Sequence, residues 1–152
     1  MPPIIKEIFI DAPPSVVFPF LTDRAKMIRW MGISAEIDAK PGGIYRLDPN
    51  GREVIRGEYL EVIPDSRVVF TWGWEKPSPG MPAVPAGTTQ VEIDLLPENG
   101  GTRLRLTHRH LPPDARERHE LGWAHYLQRL KTVSAGSEPG PDPYADPGVR
   151  HG

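Results

Sequence analysis

The 152-residue chain contains no cysteine. That absence excludes disulfides, thiolate nucleophiles and zinc sites of the Cys type. It also lacks a long apolar run, since no stretch approaches the roughly 18 residues of a membrane-spanning helix. Charge of one sign is missing too: 18 Lys and Arg stand against 20 Asp and Glu, interspersed, for a formal charge of -2. Such a balance leaves no footprint for nucleic acid or an anionic membrane surface. The opening residues, Met1-Pro2-Pro3-Ile4, have neither the charged n-region nor the apolar core of a signal peptide. The expectation is a cytoplasmic protein with no nucleic-acid partner and no membrane insertion.

What the chain does have is glycine and proline, 15 and 19 residues respectively. The prolines cluster at Pro13-Pro14, from Pro77 to Pro85, at Pro112-Pro113 and from Pro139 to Pro147. Clean periodic segments lie between the clusters, which is the pattern of a globular domain with proline-marked loops rather than a disordered chain. The length is one domain's worth and suffices to bury a core without disulfides or metal. The division expected is a domain over 1–136 and a Pro/Gly-rich tail over 137–152, with Tyr144 as the tail's one candidate anchor.

Ile4 to Ile10 reads as a first strand, ended by Asp11-Ala12-Pro13-Pro14. Pro14 suits the first turn of a short helix bearing Val17, Phe20 and Leu21, which Pro19 should kink. Asp23 can cap a second short helix that ends near Trp30. Strand periodicity follows in Ser34 to Asp38, Ile44 to Asp48 and Glu53 to Ile63, the last two joined by Pro49-Asn50-Gly51-Arg52. Asn-Gly accepts positive φ and marks a hairpin, while Gly57 marks a bulge that bends the sheet. Arg67 to Trp74 puts Val68, Phe70, Trp72 and Trp74 on one face. Thr88 to Leu96 and Thr102 to His110 form a further hairpin around Glu98-Asn99-Gly100-Gly101. Leu104, Leu106, His108 and His110 alternate there with Arg103, Arg105, Thr107 and Arg109, the mark of a half-buried antiparallel strand. Pro112-Pro113-Asp114 opens a long helix, and Gly136 sits where a C′ glycine would end it. On that helix Trp123, Tyr126, Leu127 and Leu130 share a face at i, i+3, i+4 and i+7, with Gly122 leaving a gap beside them. The fold class expected is α+β, in the order strand, two short helices, six antiparallel strands, long helix.

Several short motifs, taken together in order and spacing, carry a family likeness. They are Ile10-Asp11-Ala12-Pro13-Pro14-Ser15-Val16-Val17-Phe18 with Leu21-Thr22-Asp23, Trp30-Met31-Gly32, and Pro41-Gly42-Gly43-Ile44-Tyr45-Arg46. Gly57-Glu58-Tyr59-Leu60-Glu61-Val62-Ile63-Pro64, Phe70-Thr71-Trp72, Gly101-Thr102-Arg103-Leu104 and Leu121-Gly122-Trp123 continue the series. The chain thereby resembles the START-like (SRPBCC, Bet v 1-type helix-grip) superfamily. Within it, the chain is similar to bacterial proteins like the C-terminal domain of the Hsp90 ATPase activator (AHSA1-like). The resemblance implies a bent antiparallel sheet of about seven strands gripping the long C-terminal helix, with a cavity between them. It implies small-molecule or lipid binding in many members, catalysis in some, and chaperone binding in the eukaryotic activator. It transfers no catalytic residue and no cofactor.

Candidate ligand-binding residues are the aromatics Trp30, Tyr45, Trp72, Trp74, Trp123 and Tyr126, joined by Leu127 and Leu130 from the helix and by His108 and His110. Trp and Tyr bring large apolar contact and need a hydrogen-bond partner when buried; the same set could simply fill the core. His108 and His110 could be two metal ligands, a polar cavity wall or satisfied structural histidines, and no third metal ligand is evident. The loop Glu75 to Gly87, with Met81, reads as a stiff excursion or a lid over a pocket. Arg103, Arg105, Arg109, Arg116, Arg118 and Arg129 read as a solvated face, anion binding being the alternative. The leading functional expectation is non-catalytic binding of a hydrophobic or amphipathic small molecule, lipid-like or aromatic. The alternatives are a cyclase, dehydratase or hydrolase using His108, His110, Tyr45 or Tyr126, and a chaperone-interacting protein. Against the last stands the separate N-terminal domain of the eukaryotic activator, for which 152 residues leave no room. A homodimer and a chaperone complete the partners considered.

Overall fold

In a computed structural model the chain is described over residues 2–76, 80 and 83–143. The expectations placed on Tyr144, Met81, Pro77, Pro79 and Pro82 lie outside the described residues. The period-two segments become strands: β1 Ile4–Ile10, β2 Ser34–Ile37, β3 Ile44–Asp48, β4 Val54–Ile63, β5 Arg67–Trp72, β6 Trp74–Lys76, β7 Thr89–Glu98 and β8 Gly101–Arg109. They form one antiparallel sheet in the order β1-β8-β7-β5-β4-β3-β2, with β6 paired to β4. Registers line up the inward positions, apolar but for one histidine: Val68 faces Ile93, which faces Leu106, and Phe70 faces Val91, which faces His108. One side of the sheet is therefore a continuous, mostly apolar surface.

The strand expected from Arg67 to Trp74 is broken at Gly73, so among the described residues the sheet has eight strands rather than about seven. A Cβ on Gly73 would stand 1.9 Å from the Pro85 carbonyl oxygen, which shows how closely the returning loop crosses there. The bulge expected at Gly57 falls two residues further on, and Gly57 itself pairs in regular register with Tyr45 of β3. A Cβ on it would meet the Thr71 carbonyl oxygen at 1.8 Å, and the β4–β5 register shifts between Tyr59 and Glu61. β4 pairs with β3 near one end and with β5 near the other, and the irregularity lets the sheet bend between them.

Pro19 divides the first helical segment into α1 Pro14–Val17 and α2 Pro19–Thr22. α3, Arg24–Met27, is capped as expected, with the Lys26 amide donating to Asp23 Oδ2 at 3.1 Å. A 3-10 turn over Pro113–Ala115 leads into α4, Arg116–Ser134. Gly136, at φ 94°, ends α4. The Gly136 and Ser137 amides donate to the Val133 and Thr132 carbonyls at 3.1 Å each, the bonding of a Schellman cap. The buried stripe of α4 is His119, Trp123, Leu127, Leu130 and Val133. Its lower part packs on the sheet with Tyr45, Phe70, Val91, Leu104 and Leu106 in the main core. Beyond α4, Glu138, Gly140 and Asp142 contact Arg29, Arg129 and His125 respectively. No helix among the described residues is long and apolar enough to cross a membrane.

Candidate functional site

A cavity of about 440 Å³ opens between the N-terminal half of α4 and the far end of the sheet. Its floor is aromatic: Trp72 from β5, Trp74 from β6, and Trp123 and Tyr126 from α4. Ile55 of β4 and Met31, which follows α3, extend the apolar wall. The β3–β4 turn supplies Pro49, Asn50 and Glu53, and the entry to α4 supplies Asp114, Glu117, Arg118 and Leu121. Leu121 is 61% exposed and marks the mouth. Gly122 also borders the cavity, and a Cβ placed on it would meet nothing within 4 Å. The glycine therefore marks open space, not a close approach of helix to sheet.

Two histidines hold the tryptophans, His108 from behind and His119 within the cavity wall. Trp123 Nε1–H donates to His108 Nδ1 at 3.0 Å, so that nitrogen must carry its lone pair. His108 Nε2 is then the protonated nitrogen and donates to Thr89 Oγ1 at 2.8 Å, while the Thr89 hydroxyl donates to the Trp72 carbonyl at 2.8 Å. His119 adopts the opposite tautomer. Its Nδ1–H donates to the Ala115 carbonyl at 2.8 Å, leaving Nε2 to accept a long bond of 3.4 Å from Trp72 Nε1–H. Burial lowers the pKa of both imidazoles, to about 2 for His108. Neutral rings are what this network demands, because each accepts a hydrogen bond at one nitrogen.

Glu53 is the unusual wall residue, with its carboxylate 4% exposed. The Asn50 amide donates to its Oε1 at 3.2 Å, and the Arg118 guanidinium lies 3.7 Å from its Oε2. That last separation is an ion pair without a hydrogen bond. Asn50 Oδ1 in turn accepts from the Arg52 and Glu53 amides at 2.9 and 3.0 Å, folding the turn that presents the carboxylate. Trp74 Nε1–H is buried and has no hydrogen-bond partner among the described residues.

Of the ten sequence candidates, Trp72, Trp74, Trp123 and Tyr126 meet at the cavity. Trp30 lies in the core, its Nε1–H donating to the Phe20 carbonyl at 2.9 Å. Tyr45 is stacked on Phe70 at 4.1 Å between ring centres, and burial raises its pKa well above the usual phenol value. Leu127 and Leu130 are fully buried below the cavity floor. His108 supports the tryptophans without lining the cavity. His110 lies just beyond the strand: β8 ends at Arg109, and a φ of 73° at His110 breaks the extended backbone there. It borders a separate crevice of about 310 Å³ with Pro2, Ile4, Leu111 and Arg116, and His108 lines that crevice too, so the two histidines meet there rather than at the aromatic cavity. No group of three or more His, Asp or Glu able to hold a metal occurs among the described residues.

His119, Asn50, Glu53, Asp114 and Glu117 were not among the candidates, and Arg118 entered only within the arginine face read as solvated or anion-binding. His119 was legible, since it lies four residues before Trp123 on the stripe continued by Leu127. Glu53 was not, because only the folded turn carries it under α4. The arginine face is less free than its composition suggests: Arg103 pairs with Glu98, Arg109 with Glu92, Arg116 with Glu120 and Arg118 with Glu53.

A bent antiparallel sheet closed by a long C-terminal helix defines a helix-grip domain of the START-like type. The model of the family described as "Activator of Hsp90 ATPase homolog 1-like protein" matches residues 11–135, and the chain belongs to that family. The AHSA1-like protein of Rhizobium etli, solved in solution by NMR, is 43% identical over 99% of this chain and 92% of its own, with a TM-score of 0.73. CalU16 of Micromonospora echinospora is 28% identical, covering 91% of this chain and 77% of its own at a TM-score of 0.72. The Aha1 dimer of Colwellia psychrerythraea shares the fold at 23% identity and a TM-score of 0.71, over 93% of this chain and 100% of its own. No functionally curated protein matches the chain significantly.

Proposed function

We propose that the protein binds a small amphipathic molecule with an aromatic or otherwise flat apolar body in the cavity beside α4, and does so without chemistry. The observation that carries this reading is Gly122. A glycine inside a helix costs about 0.8–1.0 kcal/mol relative to alanine, and here no protein atom occupies the space it leaves. That space opens onto four aromatic rings in a hollow of about 440 Å³, within the roughly 300–1,000 Å³ typical of small-molecule sites. The catalytic alternative has less support. Both ring nitrogens of His108 are committed to Trp123 and Thr89, Tyr45 is in the core, and His110 lies at the other crevice, which His108 also borders. Of the four proton-transfer candidates only Tyr126 borders the cavity. A chaperone-binding role draws on the family's description and on likeness to a solved Hsp90 activator at 23% identity, which is a likeness of fold alone.

The experiment is a thermal-shift and native mass-spectrometry screen of aromatic and lipid-like libraries, run in parallel on Gly122→Leu. A ligand at a hundredfold excess over its Kd stabilises by about 2.7 kcal/mol. Hits on the wild type that vanish in Gly122→Leu support the reading. An absence of hits, or hits indifferent to Gly122→Leu, would sink it.

A further inference from the structure

The charge around the cavity is lopsided. Among the described residues, Glu53, Asp114 and Glu117 contribute three carboxylates against the single guanidinium of Arg118, a formal lining charge of two negative. His119 adds none, because its lone pair accepts from Trp72 and burial holds its pKa down. The one cation is already engaged: Arg118 stands 3.7 Å from Glu53. Glu53 itself is only 3% exposed and keeps acceptor capacity, since Asn50 supplies its one side-chain hydrogen bond and a carboxylate can accept several. A buried carboxylate with so little compensation is costly for the protein alone. It becomes favourable when a cation arrives beside it. The neighbouring indoles point the same way, because tryptophan faces attract positive charge through their quadrupole. An anionic ligand would meet three carboxylates to reach one guanidinium that is not free.

We infer that the cavity selects organic cations: molecules carrying a protonated amine on a flat apolar body, with the ammonium group at Glu53 and the body against Trp72, Trp74 and Trp123. This rests on the binding role proposed above and adds the charge of the ligand to it. Asp114 and Glu117 at the entry to α4 steer the cation inward, which makes uptake sensitive to ionic strength.

The test uses three probes with one phenyl ring and a short arm: 2-phenylethylammonium, 2-phenylethanol and 3-phenylpropionate. Binding is read by calorimetry and by the indole N–H resonances of Trp72, Trp74 and Trp123 in the full chain. The ammonium should bind at least tenfold tighter than the alcohol, and the carboxylate more weakly than either. Glu53→Gln should bring the ammonium's affinity to within about threefold of the alcohol's in the same variant. Should Glu53→Gln fail to fold, the exposed pair Asp114→Asn with Glu117→Gln must reduce ammonium affinity at least threefold at low salt. Equal affinity for ammonium and alcohol, or tightest binding of the carboxylate, overturns the inference but spares the cavity role, provided Gly122→Leu still abolishes alcohol binding. No response of the indole signals to any of the three probes at millimolar concentration overturns both.

Discussion

Replacing Gly122 with alanine should stabilise the protein, although glycine beside tryptophan usually signals tight packing. Gly122 lies within α4, well away from either end, and its φ is helical. An added Cβ meets no atom within 4 Å, so no overpacking term opposes the change. What is left is helix propensity, worth about 0.8–1.0 kcal/mol in favour of alanine. In a domain of this size that amounts to a rise in Tm of about 2–4 °C. Thermal and urea unfolding followed by circular dichroism at pH 7 would measure it. Leucine has nearly the same propensity as alanine and projects four carbons into the cavity. Gly122→Leu should therefore keep wild-type stability or exceed it while losing ligand uptake. A loss of more than about 0.5 kcal/mol in Gly122→Ala would refute the reasoning, because only a neighbour in contact could produce it.

Trp123→Phe keeps most of the ring but removes the donor to His108 Nδ1; leaving that acceptor buried and unpaired should cost about 1–3 kcal/mol, measured by urea titration, and a change under 0.5 kcal/mol would contradict the bond. Acid should destabilise the fold before the carboxylates titrate. His108 and His119 are held neutral when folded and regain a pKa near 6.5 when unfolded, so the unfolded state binds more protons and stability declines as pH falls below about 6.5, by up to about 1.4 kcal/mol per pH unit for each histidine. Urea midpoints between pH 7 and 5 should show that decline, and His108→Gln should flatten it; an identical slope in the variant would remove His108 as its source. Gly57→Ala drives a Cβ to 1.8 Å from the Thr71 carbonyl oxygen and should cost at least about 3 kcal/mol, the upper end of ordinary overpacking; a variant that melts like the wild type would show that the sheet does not bend there.

Periodicity carried most of the fold because the residues that pack the sheet are local repeats. Leu104, Leu106 and His108 alternate inward as written, and Trp123, Leu127 and Leu130 turn one helix face to them. Reading failed where a single backbone dihedral or a crossing loop intervened. His110 follows the alternation in sequence, yet its positive φ takes it off the strand. Trp74 continues the pattern of Phe70 and Trp72, yet the Pro85 carbonyl beside Gly73 starts a separate strand there. The AHSA1-like family and its helix-grip sheet, though not the sheet's eighth strand, were reachable from the ordered motifs between Ile10 and Trp123. The cavity was not, because its wall joins residues as distant as Met31, Glu53, Trp74 and Tyr126. Which aromatics fill space and which border it depends on how far the sheet curls, and no local pattern encodes that curl. Tyr45 and Trp72, similar in sequence context, end on opposite sides of that division.

Greasy contacts between a helix and a sheet are tolerant of sliding, since one leucine can exchange places with another at small cost. The Trp123–His108–Thr89 chain is not tolerant. Its bonds are directional, its tautomers are fixed, and it ties α4 to β8, β7 and the Trp72 carbonyl of β5 in one line. Moving α4 by even a fraction of a turn would strand several buried polar atoms together. Hydrophobic collapse alone would draw the helix into the hollow beside Gly122. The polar line works as a spacer bolt, setting the distance between helix and sheet and keeping the hollow at constant size whether or not anything occupies it.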